Sequence, residues 1–402
     1  MGTATTTSTL TQLMKTYYDR KLLDFAKNVM VADKLADHSR DIPQREGKTV
    51  KFTRYIPLDI VTSTTNEGSN PDYVEMEAFE FEKTVAKYAN SVRLTELLQL
   101  TAYDRVLDSA VELQGYNMGQ SINRLYRIAM AKGFYPMRVD NSSTYAKSGT
   151  VGATTTTTTC YSNLTEVDDF WNDGLIIFTS GQNAGSAHLV TDFANTNGVV
   201  TFTPALKDAP DANDTFRIVN TTGITSSNVV TGDDVLRAVT ILKKNRAPKW
   251  DGKNYACILH PYVEYDFKSD SDWVNAQHYA SPEAIKSGEI GKWHGVRFFE
   301  DTEDYTELVT DGSAHESTQD RGFGLYSASG TVYHTPIFGA HAFAGTRIDG
   351  VKDKLIVKVS GPQDTSNATN AFSLVSWRVF FVATVLNGLF GVSILSGAST
   401  VQ

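Results

Sequence analysis

Hydrophobic and polar positions change rhythm several times along this chain, and each rhythm predicts a different element. Leu13, Met14, Tyr17, Tyr18, Leu22, Phe25 and Val29 recur at steps of three and four, the spacing that lines one face of a helix. An amphipathic helix is expected over about 11–36, behind a Thr/Ser-rich arm at 2–11 without a core-forming pattern. That helix packs either on its own domain or on a neighbouring subunit, and the pattern does not choose. GKTVKFTRYIPLDIVTSTTNEGSNPDYVEMEAFEFEKTVAKYA, residues 47–89, then reads as two extended arms joined by the turn cluster NEGSNPD. Lys48, Lys51 and Arg54 lie on the first arm, and Glu75, Glu77, Glu80 and Glu82 on the second, so opposite charges face across an antiparallel pair. The glutamates move from odd to even positions, which predicts a bulge or bend near Ala78-Phe79 because side chains alternate faces. Arms of roughly 15 residues would reach about 50 Å, and a two-stranded ribbon of that length is marginal in water without a partner.

Leu94, Leu97, Leu98, Val106, Ala110, Leu113, Met118, Ile122, Leu125 and Ala129 predict a long helix of about 35 residues over 94–132. Thr95 and Gly133 punctuate its ends, and Gly115 with Gly119 mark a bend or a close contact. At about residue 139 the composition turns to Thr, Ser and Gly. The runs LIIFTS, AHLVTDF, GVVTFTPAL and DTFRIV predict a small all-β insertion, with eight acids and three bases over 141–225. TGDDVLRAVTILKKN at 231–245 predicts a helix capped by Thr231 or Asp233. YACILHP follows as a buried strand, then VRFFED, TVYHTPIFG and LIVKV as further strands of an α+β region. The apolar run VFFVATVLNGLFGVSIL at 379–395 is 17 residues long, short for a membrane span. Asn387-Gly388 at its centre predicts a buried hairpin instead.

The 402 residues allow two or three domains. The net charge of −9 leaves no global basic footprint for tight nucleic-acid binding. Cys160 and Cys257 lie far apart and form no metal or redox motif. The opening MGTATTTSTLTQ lacks a signal-peptide pattern, so a soluble protein is expected.

Candidate chemistry is thin. His260 with Asp266 six residues on has the order of a base and its orienting acid. His294, His334 and His341 are possible metal ligands. Asp208, Asp211, Asn213 and Asp214 could hold calcium but lack the helix-loop-helix spacing, and a solvated turn is expected there. GEIGKWHGVRFFEDT spaces Gly288, Gly291 and Gly295 as no phosphate or dinucleotide loop does, and it reads as a turn delivering a strand. KKNRAPKWDGK at 243–253 is the densest basic run and reads as a solvated helix end. No nucleophile, base and oxyanion donor assemble from these residues. No catalytic residue, cofactor or metal is expected, and the chain is not expected to be an enzyme.

The order of elements, together with specific stretches, resembles a known family. GKTVKFTRY with NEGSNPD, VRLTELL, DVLRAVTILKKNRAPKWDGKNYACILHP, YDFKSDSDWVNAQHYA, SGEIGKWHGVRFFEDT, TPIFGAHAF and LVSWRVFFVATVLNGLFGV together are similar to the major capsid proteins of tailed bacteriophages. Within them they are most similar to the podovirus N-four-type family. The resemblance touches most of the chain outside 139–225. It implies an N-terminal arm at 1–46, an extended loop over the adjacent subunit at 47–91, and a peripheral domain with its spine helix at 92–138. It further implies an axial domain at 227–345 and a return to the peripheral domain at 346–402, with 139–226 as a β insertion that the family core does not explain. The implied function is self-assembly into pentamers and hexamers of an icosahedral shell around double-stranded DNA. The implied partners are further copies, portal and scaffolding or decoration proteins, and weakly held packaged DNA, with no membrane. The implied location is the virion, after assembly in the host cytoplasm. Lys51, Arg54, Asn66, Glu67, Gly68, Pro71, Asp72, Glu77 and Glu80 are the candidate inter-subunit contacts. An encapsulin-type compartment shares the fold, while a hydrolase using His260 and a tail or fibre protein are the readings of other classes.

Overall fold

The computed structural model describes residues 30–37, 41–56, parts of 58–76, 78–101, 106–269, 289–302, 306–310, 313–317, 331–348, 354–358 and 371–399. Of the expected N-terminal helix, the described part is α1 (Val31–Leu35), which buries Ala32 and Leu35. The rest of that helix lies outside the described residues.

β1 (Thr49–Tyr55) and β2 (Ala78–Thr84) pair antiparallel in continuous register from Thr49↔Thr84 to Tyr55↔Ala78. The expected bulge at Ala78-Phe79 is absent, because the parity change among the glutamates falls where the pairing ends. Each paired arm spans 7 residues rather than the longer arms the pattern suggested. The ribbon closes at its root with the Val85 amide donating to the Lys48 carbonyl at 2.8 Å. The chain then enters β3 (Ala86–Thr95), followed by α2 (Glu96–Thr101) and α3 (Val106–Gly133). The helix expected from residue 94 therefore begins later. Leu94 sits in a strand opposite Ser373 and is buried, since pairing along β3 outweighs a local helical spacing. α3 runs through Gly115 and Gly119, both buried.

β4 (Tyr135–Arg138) leads to a closed six-stranded barrel made of β5 (Ala146–Thr155), β6 (Thr159–Ser162), β7 (Leu175–Phe178), β8 (Ala187–Ala194), β9 (Val199–Thr203) and β10 (Thr215–Val219). Closure removes free strand edges, and Trp171, Phe178, Phe193, Phe202 and Phe216 fill the interior. Arg138 moors the barrel to the body: its guanidinium donates to the Asn220 and Thr222 carbonyls and pairs with Asp140 at 2.6 Å.

α4 (Gly232–Lys244) starts at Thr231 in a reciprocal capping box with Asp234. β11 (Tyr255–Leu259) follows, with all five residues buried, then α5 (Pro261–Ser269). β12 (Glu289–Trp293) and β13 (Val296–Glu300) form a hairpin through His294 and Gly295, both at positive φ, the two-residue turn that suits strand twist. β14 (Thr306–Thr310), β15 (Ser313–Ser317) and β16 (Thr331–Phe338) extend an eight-stranded sheet, six of whose strands run in the order β12-β13-β11-β16-β14-β15, with β4 and the last strand of the chain branching from β16. α4 and α5 cover it through Val235, Val239, Leu242, Val263 and Phe267. β17 (Phe343–Arg347), β18 (Lys354–Lys358) and β19 (Phe372–Val385) join β3 in a second sheet. Its inner face packs Val375, Trp377, Val379 and Phe381 against Met118, Ile122 and Tyr126 of α3.

β20 (Gly391–Ser396) pairs with β16 and β4, not with β19. The expected hairpin at Asn387-Gly388 is thus a crossover between the two sheets. Asn387 is extended and its side chain accepts from the Leu389 amide at 3.1 Å. Gly388 serves close backbone approach rather than positive φ, because a Cβ there would press on the Gly133 carbonyl and lie 2.7 Å from that of Gly185.

Candidate intersubunit surfaces

The hairpin is braced along its paired strands and bare at its tip. Lys51 pairs with Glu82 across the strands at 2.8 Å, and Phe52 stacks on Phe81 with centroids 5.2 Å apart. Arg54 lies over the Phe79 ring and donates to the Ala184 carbonyl of the barrel, while Glu80 pairs with Lys207 of the barrel at 3.3 Å. Three of the expected inter-subunit residues, Lys51, Arg54 and Glu80, therefore engage partners within their own chain. Asn66, Glu67 and Gly68 are exposed, with Gly68 at a φ of 83°. Pro71, Asp72 and Glu77 lie outside the described residues. Beyond the brace, Leu58, Val61, Val74 and Met76 stand in solvent, and Tyr73 is 96% exposed. Residues 56–77 contain five acids and no base. Apolar side chains this bare on a narrow ribbon mark a contact surface.

A second bare surface is the outer face of the β3–β19–β18 sheet. Register places Lys87 beside Phe380, Leu374 between Arg93 and Lys358, and Ser376 between Ser91 and Ile356, with Arg378 beside Ala89. Lys87, Arg93 and Lys358 are exposed and the apolar members half-buried. Arg93 lies 5.1 Å from the Phe372 ring centre and Arg378 lies 5.8 Å from that of Phe380, cation–π spacings that hold the charges over the apolar rows. Among the described residues of this face every ionisable side chain is a cation. The reading of 47–89 as a single two-armed ribbon hid this surface, because β3 is a separate strand that pairs with β19. Strand alternation at Lys87, Ala89, Ser91 and Arg93 was the signal that could have found it. Leu97, Leu98 and Leu100 of α2 and Leu113 and Tyr116 of α3 are also exposed.

The chemical candidates are held apart in structural roles. His260 is buried against Tyr333 and Tyr262 and its Nδ1 accepts from the Tyr262 amide at 3.2 Å. Burial, with the Arg127 charge adding to it, pushes its pKa down to about 4. Asp266, its expected orienting acid, instead accepts from the Ser399 amide at 2.7 Å and from the Ser399 hydroxyl. His334 meets the Ser393 hydroxyl at 3.3 Å, and His341 pairs with Asp37 at 2.6 Å. His294 occupies its exposed turn beside Trp293, which packs on Phe267. Asp211 and Asp214 close a turn, the Asp211 amide donating to Asp214 at 3.0 Å. Trp250 of the basic run packs edge-on to Phe299. Among the described residues no three His, Cys, Asp or Glu side chains cluster as a metal site, and no helix is long and apolar enough to cross a membrane.

One buried polar cluster escaped the sequence reading. Asn123 of α3 donates to both oxygens of Asp301 at 2.9 and 2.8 Å and accepts from the Ala32 amide of α1. Arg127 lies 3.9 Å from the same carboxylate and donates to the His334 carbonyl. The cluster ties α1 and α3 to the end of β13 and to β16 of the eight-stranded sheet.

No family model and no curated protein matches this sequence. The solved structures do show its fold. The capsid of Ralstonia phage GP4 superposes with a TM-score of 0.52 at 10% identity, over 92% of this chain and 88% of that one. The capsid of cyanophage P-SCSP1u superposes at 0.50 and 11% identity, over 92% and 89%. The chain has the fold of phage capsid proteins along nearly its whole length.

Proposed function

We propose that this chain is the major capsid protein of a tailed phage. Copies assemble as pentamers and hexamers into an icosahedral shell around double-stranded DNA. The observation that carries this reading is the hairpin, whose distal half, among its described residues, displays large apolar side chains to solvent. A ribbon of this kind gains stability by burying its tip on another copy, and a head-to-tail contact repeated around a ring closes an assembly. Fold likeness to two phage capsids over about nine-tenths of each chain supports it. Portal and scaffolding or decoration proteins are the other partners this role entails, and the virion is its location, with assembly in the host cytoplasm. The test is expression of the chain alone and with its scaffolding partner, followed by negative-stain microscopy. Closed shells are expected, and monodisperse monomers or dimers under all conditions overturn the reading. Shells that package a cargo enzyme in place of DNA would assign an encapsulin-type compartment.

A further inference from the structure

The paired half of the hairpin does not lie flat on the body. Alternation puts Phe52, Arg54, Phe79 and Phe81 on one face of the ribbon, and the bond from Arg54 to the Ala184 carbonyl turns that face to the barrel. Along the β1 side a cavity of about 640 Å³ remains. Its walls are β1, the barrel loop at 181–184, the turn after α4 and the crossover at 386–390. Its volume is within the usual range for small-molecule sites.

The charges in this cavity do not balance. Arg54 is half-buried, and burial alone pushes its pKa down from the usual guanidinium range. Arg246 lines the same cavity from the turn after α4, where it is exposed at a φ of 54°. Among the described residues neither guanidinium pairs with a carboxylate. Asp37 is the one acid in the lining, and His341 holds it at 2.6 Å. A partly buried cation without a counter-charge is costly, so two of them on one cavity favour an anion there. Two guanidinium forks match a phosphomonoester, which carries about −1.5 to −2 at neutral pH, better than a singly charged carboxylate.

The rest of the lining suits a flat, mostly apolar body. Phe52, Tyr55, Phe81 and Phe390 supply rings, with Leu386 and Leu389 beside them. Two carboxamides complete the wall. Asn245 donates from Nδ2 to the Leu389 carbonyl at 3.2 Å, and Asn387 accepts at Oδ1 from the Leu389 amide at 3.1 Å. Asn245 thus keeps an acceptor and Asn387 a donor. A donor and an acceptor beside aromatic rings suit the polar edge of a nucleobase.

We propose that this cavity binds a nucleoside monophosphate, with its phosphate on Arg54 and Arg246 and its base among the aromatic rings. The ligand bridges the hairpin to the turn after α4, so occupancy steadies the ribbon against the body. The site belongs to the single subunit and does not rest on the shell reading.

The test is calorimetric titration of the free subunit with AMP, adenosine, inorganic phosphate and benzoate. AMP is expected to bind roughly tenfold or more tightly than each of the others, because only AMP offers both the charge-assisted bonds and the base. Its affinity is expected to fall as salt rises from roughly 50 mM to 0.5 M. Arg246→Gly, which suits the positive φ of its turn, and separately Arg54→Met are each expected to weaken AMP roughly tenfold or more. Both variants are checked for native circular dichroism. Arg54 also braces the hairpin, so Arg246→Gly decides the matter if Arg54→Met disturbs the ribbon. Saturating AMP is expected to slow protease cleavage within 56–77 several-fold in the wild type and not in Arg246→Gly. No binding of AMP at millimolar concentration, or an unchanged affinity in Arg246→Gly, overturns the site. Benzoate held as tightly as AMP overturns its assignment to a phosphate. Each readout is taken on the free subunit, so failure here leaves shell formation by the wild type as a separate question.

Discussion

Arg127 and Asp301 are nearly inaccessible to solvent, and a charge so placed is tolerable only with its partners present. Asp301→Ala leaves Arg127 buried without that carboxylate and deprives Asn123 of its acceptor. A loss of about 3–5 kcal/mol is expected by denaturant unfolding of the free subunit. Replacing the pair together, Arg127→Met with Asp301→Leu, is expected to recover most of that loss, as apolar substitutes of similar volume do. The buried histidines give the subunit an acid-sensitive side. His188 donates from Nδ1 to the Pro204 carbonyl at 2.7 Å, and burial pushes its pKa down to about 4, as for His260. Their unfolded value is about 6.5. Between these values the unfolded chain binds more protons than the native one, so stability is full above the unfolded pKa and falls as pH drops toward 4. Each histidine contributes up to roughly 3 kcal/mol to that slope. Unfolding midpoints measured from pH 7 to 4 are expected to flatten in His260→Gln, and an unchanged slope would assign the acid lability elsewhere.

The crossover between β19 and β20 and the barrel each act as whole elements. Gly388→Ala places a methyl against two backbone carbonyls that have no freedom to rotate aside, so a destabilisation of about 1–3 kcal/mol is expected. The barrel has its own closed sheet and core, and its contacts with the body include Arg138, the hairpin brace, the Gly185–Gly388 contact and an apolar seam of Ala146 and Val219 against Val332 and Leu395. Excising 146–219 while keeping the Asn220 and Thr222 carbonyls for Arg138 is expected to leave a soluble, folded body. The same excision removes Ala184 and Lys207, so protease cleavage within 56–77 is expected to accelerate several-fold. Equal cleavage rates would show that the brace does not hold the ribbon, and an insoluble product that resists rescue would show that the body needs the barrel.

For the whole molecule, the net charge of −9 leaves no global basic surface with which to grip a duplex. Filter binding of the free subunit to duplex DNA at moderate salt is expected to be weaker than micromolar, and submicromolar affinity would contradict this.

Local patterns were sufficient wherever an element satisfies itself. The capped helix at 231–244, the buried run YACIL, the barrel strands β7 to β10 and the opposite charges of Lys51 and Glu82 were legible, because caps, alternation and cross-strand pairing are short-range, whereas β5 and β6 lay in a stretch read only as Thr/Ser/Gly-rich. Asn387-Gly388 and Leu94-Leu97-Leu98 misled for the converse reason. Their spacings satisfy a hairpin and a helix locally, yet β19 finds better partners in β3, β17 and β18, and β20 in β16 and β4. The candidate contacts divided in the same way. That 47–89 forms a charged ribbon could be read from its alternation. Arg54 and Glu80 turning to the barrel, and Lys87, Arg93, Lys358 and Arg378 meeting on one face, bring together residues up to 291 positions apart along the chain. Only the folded sheet makes them neighbours, because side-chain period specifies which face a residue takes but not which strand lies beside it.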